Sequence, residues 1–209
     1  MSLSTDFKKT IIKKLQKDLG LDNIHQVPKL DKVIVACGVG SLHTRKGVKD
    51  FTEIENNLKA ITGQKAILIN ARMSVSNFKL REWSPVMFKV TLRKERAYDF
   101  IERLVNFVLP RVRDFSGLNE KSFDKGGNIS FGFKEFGIFP EVNVDNLTLA
   151  AGLQITIVPT SADKAQSLAF AKSLGLIFKA PSNSDLISLA FAIFCLVLAF
   201  SFNRPRAKA

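Results

Sequence analysis

Only two cysteines, Cys37 and Cys195, occur in 209 residues, and they stand too far apart in sequence to frame a disulfide scaffold or a zinc site. A reducing compartment is the default. The two histidines, His25 and His43, have no ligand-spaced cysteine or second histidine beside them, so they read as surface or loop residues rather than metal ligands. Negative charge is short as well: nineteen Asp and Glu against thirty-one Lys and Arg leave a formal +12. A mixed-sign surface would satisfy solubility. An excess of cations spread along residues 1–180 points instead to a polyanion, nucleic acid or an anionic membrane, because each neutralised phosphate releases a condensed counterion.

Other absences narrow the chemistry. The start, "MSLSTDFKKTIIKKLQKDLG", lacks the apolar core of a signal peptide, and Asp6 and Asp18 argue against an attached transit peptide. "VACGVGSLH" sits where a dinucleotide fingerprint would, but the third glycine of that pattern falls on His43, and no glycine–lysine–serine/threonine phosphate loop exists in the chain. Gly38 and Gly40 fit either a flexible loop whose backbone approaches an RNA phosphate or a plain turn. Glu53 and Glu55 stand at i, i+2 of an expected helix and do not face each other, so no paired-carboxylate centre is indicated. No enzyme, metal or cofactor is expected.

What is present reads as an α+β domain with a mostly antiparallel sheet and helices packed on one side. Phe7, Ile11, Leu15 and Leu19 recur at helical spacing among lysines, predicting a basic amphipathic helix over 4–19 that Gly20 ends. "KVIVAC" is a short strand, followed through "GVG" by a second helix with Val48, Phe51, Ile54, Leu58 and Ile61 on one face, closed by Gly63. "KAILIN" is a buried-strand candidate. "VMFKVTLR" alternates, with Val86, Phe88, Val90 and Leu92 inward. A third helix through "KERAYDFIERLVNFVL" is expected to stop at Pro110, strands follow at "NISFGF" and "GLQITIV", and a fourth helix opens at Ser161 or Asp163 and closes at Gly175. The free face of such a sheet carries Lys89, Thr91, Arg93, Ser130, Gly132, Gln154 and Thr156, a polar and partly basic platform suited to RNA backbone.

Two loop stretches add to it. "NARMSVSNFKLREWSP" interleaves Arg72, Lys79 and Arg81 with Phe78 and Trp83, which suits phosphate contact with base or sugar stacking; a hairpin loop packing its own aromatics has the same composition. "PRVRDFSGL" offers Arg111 and Arg113 just past a helix end.

The stretches "GVG", "ITGQKA", "ARxSVxxFKxRxxSP", "KVTLRxERxxxFxERL", "PRxRDFxGL", "SFDxxGNxSxG", "IFPE" and "GLxITI" together resemble the universal large-subunit ribosomal protein L-five family, bacterial type, from about residue 4 to Ala180. The resemblance implies a structural constituent of the large ribosomal subunit. Such a protein binds 5S rRNA and large-subunit rRNA in the central protuberance, touches the P-site tRNA and bridges to a small-subunit head protein. Carried over residue by residue, it implies rRNA binding by Gly38, Gly40, Gln64, Lys89, Thr91, Arg93, Gly127, Asn128 and Ser130. It implies a tRNA-contacting loop with Ser74, Ser76, Asn77, Phe78, Lys79 and Arg81, and an inter-subunit contact through Arg111, Arg113, Lys134 and residues 134–147.

The chain departs from that family at Ala36, Asn70, Met73, Asn77 and Gly126, where bacterial relatives usually have Asn, Lys, Lys, Gly and Arg. Three basic positions are thus neutral, with Lys125 placed to compensate for one. Such erosion, and eighteen phenylalanines, suit an organelle with a shrunken rRNA and an AT-rich genome. The expected location is a ribosome of the mitochondrial matrix, with a plastid or a bacterial cytoplasm as alternatives and 5S rRNA a partner where the ribosome has it.

"APSNSD", residues 180–185, is the break between the domain 1–180 and an extension, residues 181–209, with an apolar helix expected over 186–202 and a basic tip. Its eleven Leu, Ile, Phe and Val residues favour membrane insertion by about 4–5 kcal/mol. Carrying Arg204, Arg206 and Lys208 across an energised membrane costs about 7 kcal/mol per 100 mV. The balance favours docking on a neighbouring ribosomal protein over lipid; the alternative is a membrane-associated basic adaptor or ribosome tether.

Overall fold

Period-two alternation in "LDKVIVACG" builds β1 (Leu30–Gly38), whose Val33, Val35 and Cys37 are buried on one face while Lys32, Ile34 and Ala36 stand half-buried on the other. In the computed structural model, which describes residues 11–48, 50–142, 149, 151–161 and 163–179, β1 is the middle of a five-stranded antiparallel sheet. It lies between β3 (Pro85–Arg93) and β5 (Leu153–Pro159), with β2 (Ile67–Asn70) outside β3 and β4 (Ile129–Phe133) outside β5. Phe88, Val90 and Leu92 of β3 and Leu153, Ile155 and Ile157 of β5 continue the buried face.

Helices cover that face. α1 (Ile12–Asp18) is the described part of the expected 4–19 helix, residues 4–10 lying outside the described residues; Leu15 is its buried residue, and Gly20 follows in the left-handed conformation. The second helix is two: α2 (Gly40–Lys46) ends at Gly47, whose φ of 66° breaks the run, and α3 (Thr52–Thr62) buries Ile54, Leu58 and Ile61 beneath a capping Gly63. The helical run that α4 (Glu95–Arg103) opens ends at Arg111, one residue past Pro110. It passes through a π-helical turn (Leu104–Val108) into a tight 3₁₀ turn (Leu109–Arg111), where Pro110 stands at the start and its missing N–H breaks no bond. α5 (Lys164–Ser173) packs against α1; Ser161 accepts from the Asp163 N–H at 3.2 Å and donates to Gln166 at 2.8 Å, and Gly175 follows its end.

β2 is not buried. Ile67, Leu68 and Ile69 are 68%, 45% and 37% exposed because β2 is an edge strand with neither face covered. An apolar run fits a buried strand and an exposed edge equally, and only the strand order separates them. Among the described residues no helix is long and apolar enough to cross a membrane. The residues 181–209 segment lies outside the described residues.

Candidate nucleic-acid interface

The register of the sheet lays its uncovered face out in four rows. Arg93 stands opposite Lys32, and Lys32 opposite Val158. Next come Thr91, Ile34, Thr156 and Ser130, then Ile67, Lys89, Ala36, Gln154 and Gly132, and last Ile69, Met87 and Gly38. Three cations, four hydroxyl or amide side chains and no carboxylate occupy these positions. Lys32 and Arg93 are like charges directly across a strand pair, an arrangement that costs stability unless an anion lies over it. Lys32 approaches Asp31 at 3.4 Å, whereas no carboxylate of the described residues lies within ion-pair distance of Lys89 or Arg93. Ser130 Oγ and Thr156 Oγ1, 3.0 Å apart, form an exposed pair of hydroxyls at the other side of the face. The platform therefore presents cations at one edge and neutral donors and acceptors at the other, a surface that fits a phosphate backbone lying across the strands.

The remaining residues expected at this site have other jobs. Val39, between Gly38 and Gly40, is fully buried and donates to the Val86 carbonyl at 2.9 Å, so "GVG" is a pinned strand-to-helix turn and not a flexible loop. Gln64 lies in the turn between α3 and β2, outside the four rows, with its N–H 3.3 Å from Thr62 Oγ1. In "GGNIS" only Ser130 reaches the platform. Asp124 accepts from the N–H groups of Gly126 at 2.9 Å and Asn128 at 2.8 Å and from the Asn128 amide at 2.8 Å, so Asn128 is spent on the turn. Gly127 has φ +73°, and a Cβ there would collide with Ser167 Oγ on α5. These hydrogen bonds from Asn128 and Gly126 hold the Asp124 carboxyl below its ordinary range. A depressed folded pKa means that the turn's contribution is present above the unfolded value near 4 and is lost as pH falls through the folded one. Asp124→Ala should therefore lower the thermal midpoint at neutral pH, and the gap between variant and parent should close on acidification in a melting series.

The stretch from Ala71 to Ser84 is a projecting loop held from inside. Val75 and Leu80 exchange backbone hydrogen bonds at 2.9 and 3.1 Å, Glu82 N–H donates to Ser74 Oγ at 2.9 Å, and Trp83 N–H donates to the Ala71 carbonyl at 3.0 Å. Ser74 thus braces the loop. Ser76, Asn77 and Phe78 form a 3₁₀ turn, and Lys79 and Trp83 take left-handed φ of 52° and 66°, strain that a tied loop can hold. The aromatics do not pack on one another: Phe78 is 76% and Trp83 75% exposed, beside exposed Lys79 and Arg81. Rings offered to solvent among cations are the stacking arrangement that composition alone left open.

Sequence reasoning missed Lys32 and Arg45. Lys32 alternates with Val33 and Val35 in β1, so the same period-two reading that found Lys89 could have found it. Arg45, exposed on α2, meets the 74–84 loop only in space, at a cleft also lined by Phe78 and Lys79. Arg111, Arg113 and Lys134 are all on the surface, Arg111 at the end of the 3₁₀ turn, Arg113 just past it and Lys134 just past β4. The segment after Lys134 is anchored by Phe139 against Phe133, ring centroids 6.1 Å apart, and by Glu141 on Arg103 at 2.9 Å; residues 143–148 lie outside the described residues. Burial pushes the Cys37 thiol up to about 12, so it stays neutral and unreactive.

Comparison with protein families decides whose platform this is. Residues 23–81 match the model of ribosomal protein L5, and residues 85–178 match the model of that ribosomal family's C-terminus. The chain belongs to the ribosomal protein L5 family. It is similar to the large ribosomal subunit protein uL5 of Geobacter sulfurreducens, 44% identical over 83% of this chain and 96% of the relative. It is likewise similar to uL5 of Prochlorococcus marinus strain MIT 9515, 44% identical over 85% of this chain and 99% of the relative, and to uL5 of Thermotoga maritima, 43% identical over 85% and 95%. Like the family, the chain is a structural, non-enzymatic constituent of the large ribosomal subunit. The second family model ends at residue 178, so the apolar segment 186–202 lies beyond the matched residues.

Proposed function

We propose that the uncovered sheet face binds 5S rRNA and the adjacent large-subunit rRNA of the central protuberance. The single observation that carries this is a face with Lys32, Lys89 and Arg93 and no carboxylate at any paired position. Purified full-length protein should bind 5S rRNA more tightly than a random duplex of equal length, with an affinity that falls steeply as salt rises. Salt-independent binding, or no preference for ribosomal RNA, would remove the proposal.

The projecting loop contacts the P-site tRNA in this reading, through Lys79 and Arg81 at its tip. Lys79 and Arg81 lie on a loop tip whose backbone is tied without them, so alanine at both should weaken tRNA binding to the ribosome several-fold while subunits assemble normally. Assembly that collapses while the surviving ribosomes hold tRNA would reverse the assignment. Arg111, Arg113, Lys134 and residues 134–147 supply the contact to the small-subunit head.

The ribosome we assign it to is mitochondrial, on the strength of the neutral Asn70, Met73 and Gly126 and of the abundant phenylalanine; a plastid or bacterial ribosome is the alternative, and the relatives named above are bacterial. Residues 186–202 dock on a neighbouring ribosomal protein, with the basic tip reaching rRNA, rather than enter lipid. After ribosomes are stripped from membranes, alkaline carbonate should release the full-length chain and a 1–180 form alike. Retention of the full-length chain alone would make the segment an anchor.

A further inference from the structure

α2 and the 74–84 loop, far apart in sequence, enclose an open cleft of about 710 Å³ at the end of the platform. Its walls are Ser41 and Arg45 of α2, Phe78, Lys79 and Leu80 of the loop, and Val86 of β3. No acidic residue lines it, and no carboxylate of the described residues pairs with Arg45 or Lys79. Phe78 stands at the mouth with 76% of its surface in water, an exposure that nothing in the fold requires. The Val39 N–H bond to the Val86 carbonyl pins the start of α2 to β3, so the cleft opens beside the platform row in which Gly38 faces Met87.

We propose that this cleft takes one unpaired nucleotide, splayed from the ribosomal RNA that lies on the platform. The inference rests on the rRNA-binding reading above and goes beyond it in naming what the seam between platform and loop recognises. The base lies against the Phe78 ring with Leu80 and Val86 behind it, and a flanking phosphate meets Arg45. An aromatic ring stacks on the face of any base and is useless to a base that is paired and stacked within a duplex, while Arg45, without a carboxylate partner on the α2 wall, suits a phosphate beside the flipped nucleotide. The cleft therefore distinguishes a bulged RNA from a continuous helix, which the flat platform cannot do.

The test uses the full-length protein and two short RNA hairpins of the same stem, one with a single bulged 2-aminopurine and one fully paired. The bulged hairpin should bind roughly tenfold more tightly, the worth of one base–aromatic stack, and its fluorescence should be quenched on binding. Phe78→Ala should remove both the preference and the quenching, Phe78→Tyr should keep them, and Arg45→Ala should weaken the bulged hairpin more than the paired one. Lys89→Ala, on the platform, should weaken both hairpins alike. Equal, salt-sensitive binding of the two hairpins, or a preference that survives Phe78→Ala, overturns the cleft and leaves the platform reading standing. No binding of either hairpin overturns both. Unlabelled 5S rRNA should restore the fluorescence; restoration by tRNA and not by 5S rRNA overturns the assignment of the nucleotide to ribosomal RNA.

Discussion

Alanine at Lys32, Lys89 and Arg93 together is expected to weaken 5S rRNA binding by roughly a hundredfold to a thousandfold, since each charge-assisted contact contributes about 1–1.5 kcal/mol net. The three positions lie within two of the four rows on one strand pair, so a single RNA backbone crossing β1 and β3 can meet them all. Each cation that neutralises one phosphate adds about 0.9 to the slope of log affinity against log salt, so the triple variant should lose about 2.7 from that slope. A plot of affinity against salt for parent and variant checks both numbers. The fold should be untouched: Arg93 is exposed, Lys32 and Lys89 are half-buried, and removing the facing Lys32 and Arg93 relieves a repulsion. A drop in affinity with an unchanged slope would show that the cations act through the fold and not on phosphate. The triple variant also tests Lys32 by itself when compared with a Lys89, Arg93 double variant, because Lys32 is shared with Asp31 at 3.4 Å and should contribute least.

How far the sequence discloses this site follows from the range of the physics involved. Alternation is local, so β3, β4 and β5 and the platform residues Lys89, Thr91, Arg93, Ser130, Gly132, Gln154 and Thr156 are legible from the chain alone. Strand order is not local. Whether Ile67 and Ile69 are buried depends on β2 lying outside β3, and nothing in "KAILIN" records that. The cleft between Arg45 and Phe78 is likewise a product of tertiary placement. Proline at position 110 marks the end of the helical run to within one residue: it forbids a hydrogen bond only where an α-helix would make one, and the switch to a 3₁₀ turn at Leu109 lets the run reach Arg111. The family resemblance locates residues without saying what each does. Asn128 and Gly127 stand in a matching motif, yet the structure ties the first to Asp124 and seats the second against α5. Ala36, where bacterial relatives usually have Asn, lies in the third row between Lys89 and Gln154, so its missing amide is a gap in the middle of the platform.

Gly117→Ala should destabilise the domain by about 3 kcal/mol, a large share of the roughly 5–15 kcal/mol typical of a folded domain. Gly117 has φ +104°, and a Cβ built there would stand 2.6 Å from the Lys179 nitrogen and 2.8 Å from the Phe178 carbonyl carbon. Both are backbone atoms, so no side-chain rotation relieves the contact. Nor can the facing segment retreat: Leu118 N–H donates to the Ile177 carbonyl at 2.8 Å, Lys179 N–H donates to the Leu118 carbonyl at 2.9 Å, and the Phe178 ring stacks on Phe123 at 5.7 Å. The variant must therefore give up this clasp or bear the clash. Gly47→Ala is the matched control. It has a left-handed φ of 66° but nothing within 4 Å of its Cβ, so it should cost only the conformational term of about 1 kcal/mol. Urea unfolding of the two full-length variants separates strain from collision, and equal losses would mean that the clasp yields freely. The clasp is also where the domain hands over to residues 181–209, because Lys179 is held to Leu118 and the chain continues from that point. Opening it should release the root of the apolar segment, so Gly117→Ala ribosomes should show faster proteolysis at residues 180–185 than Gly47→Ala ribosomes do.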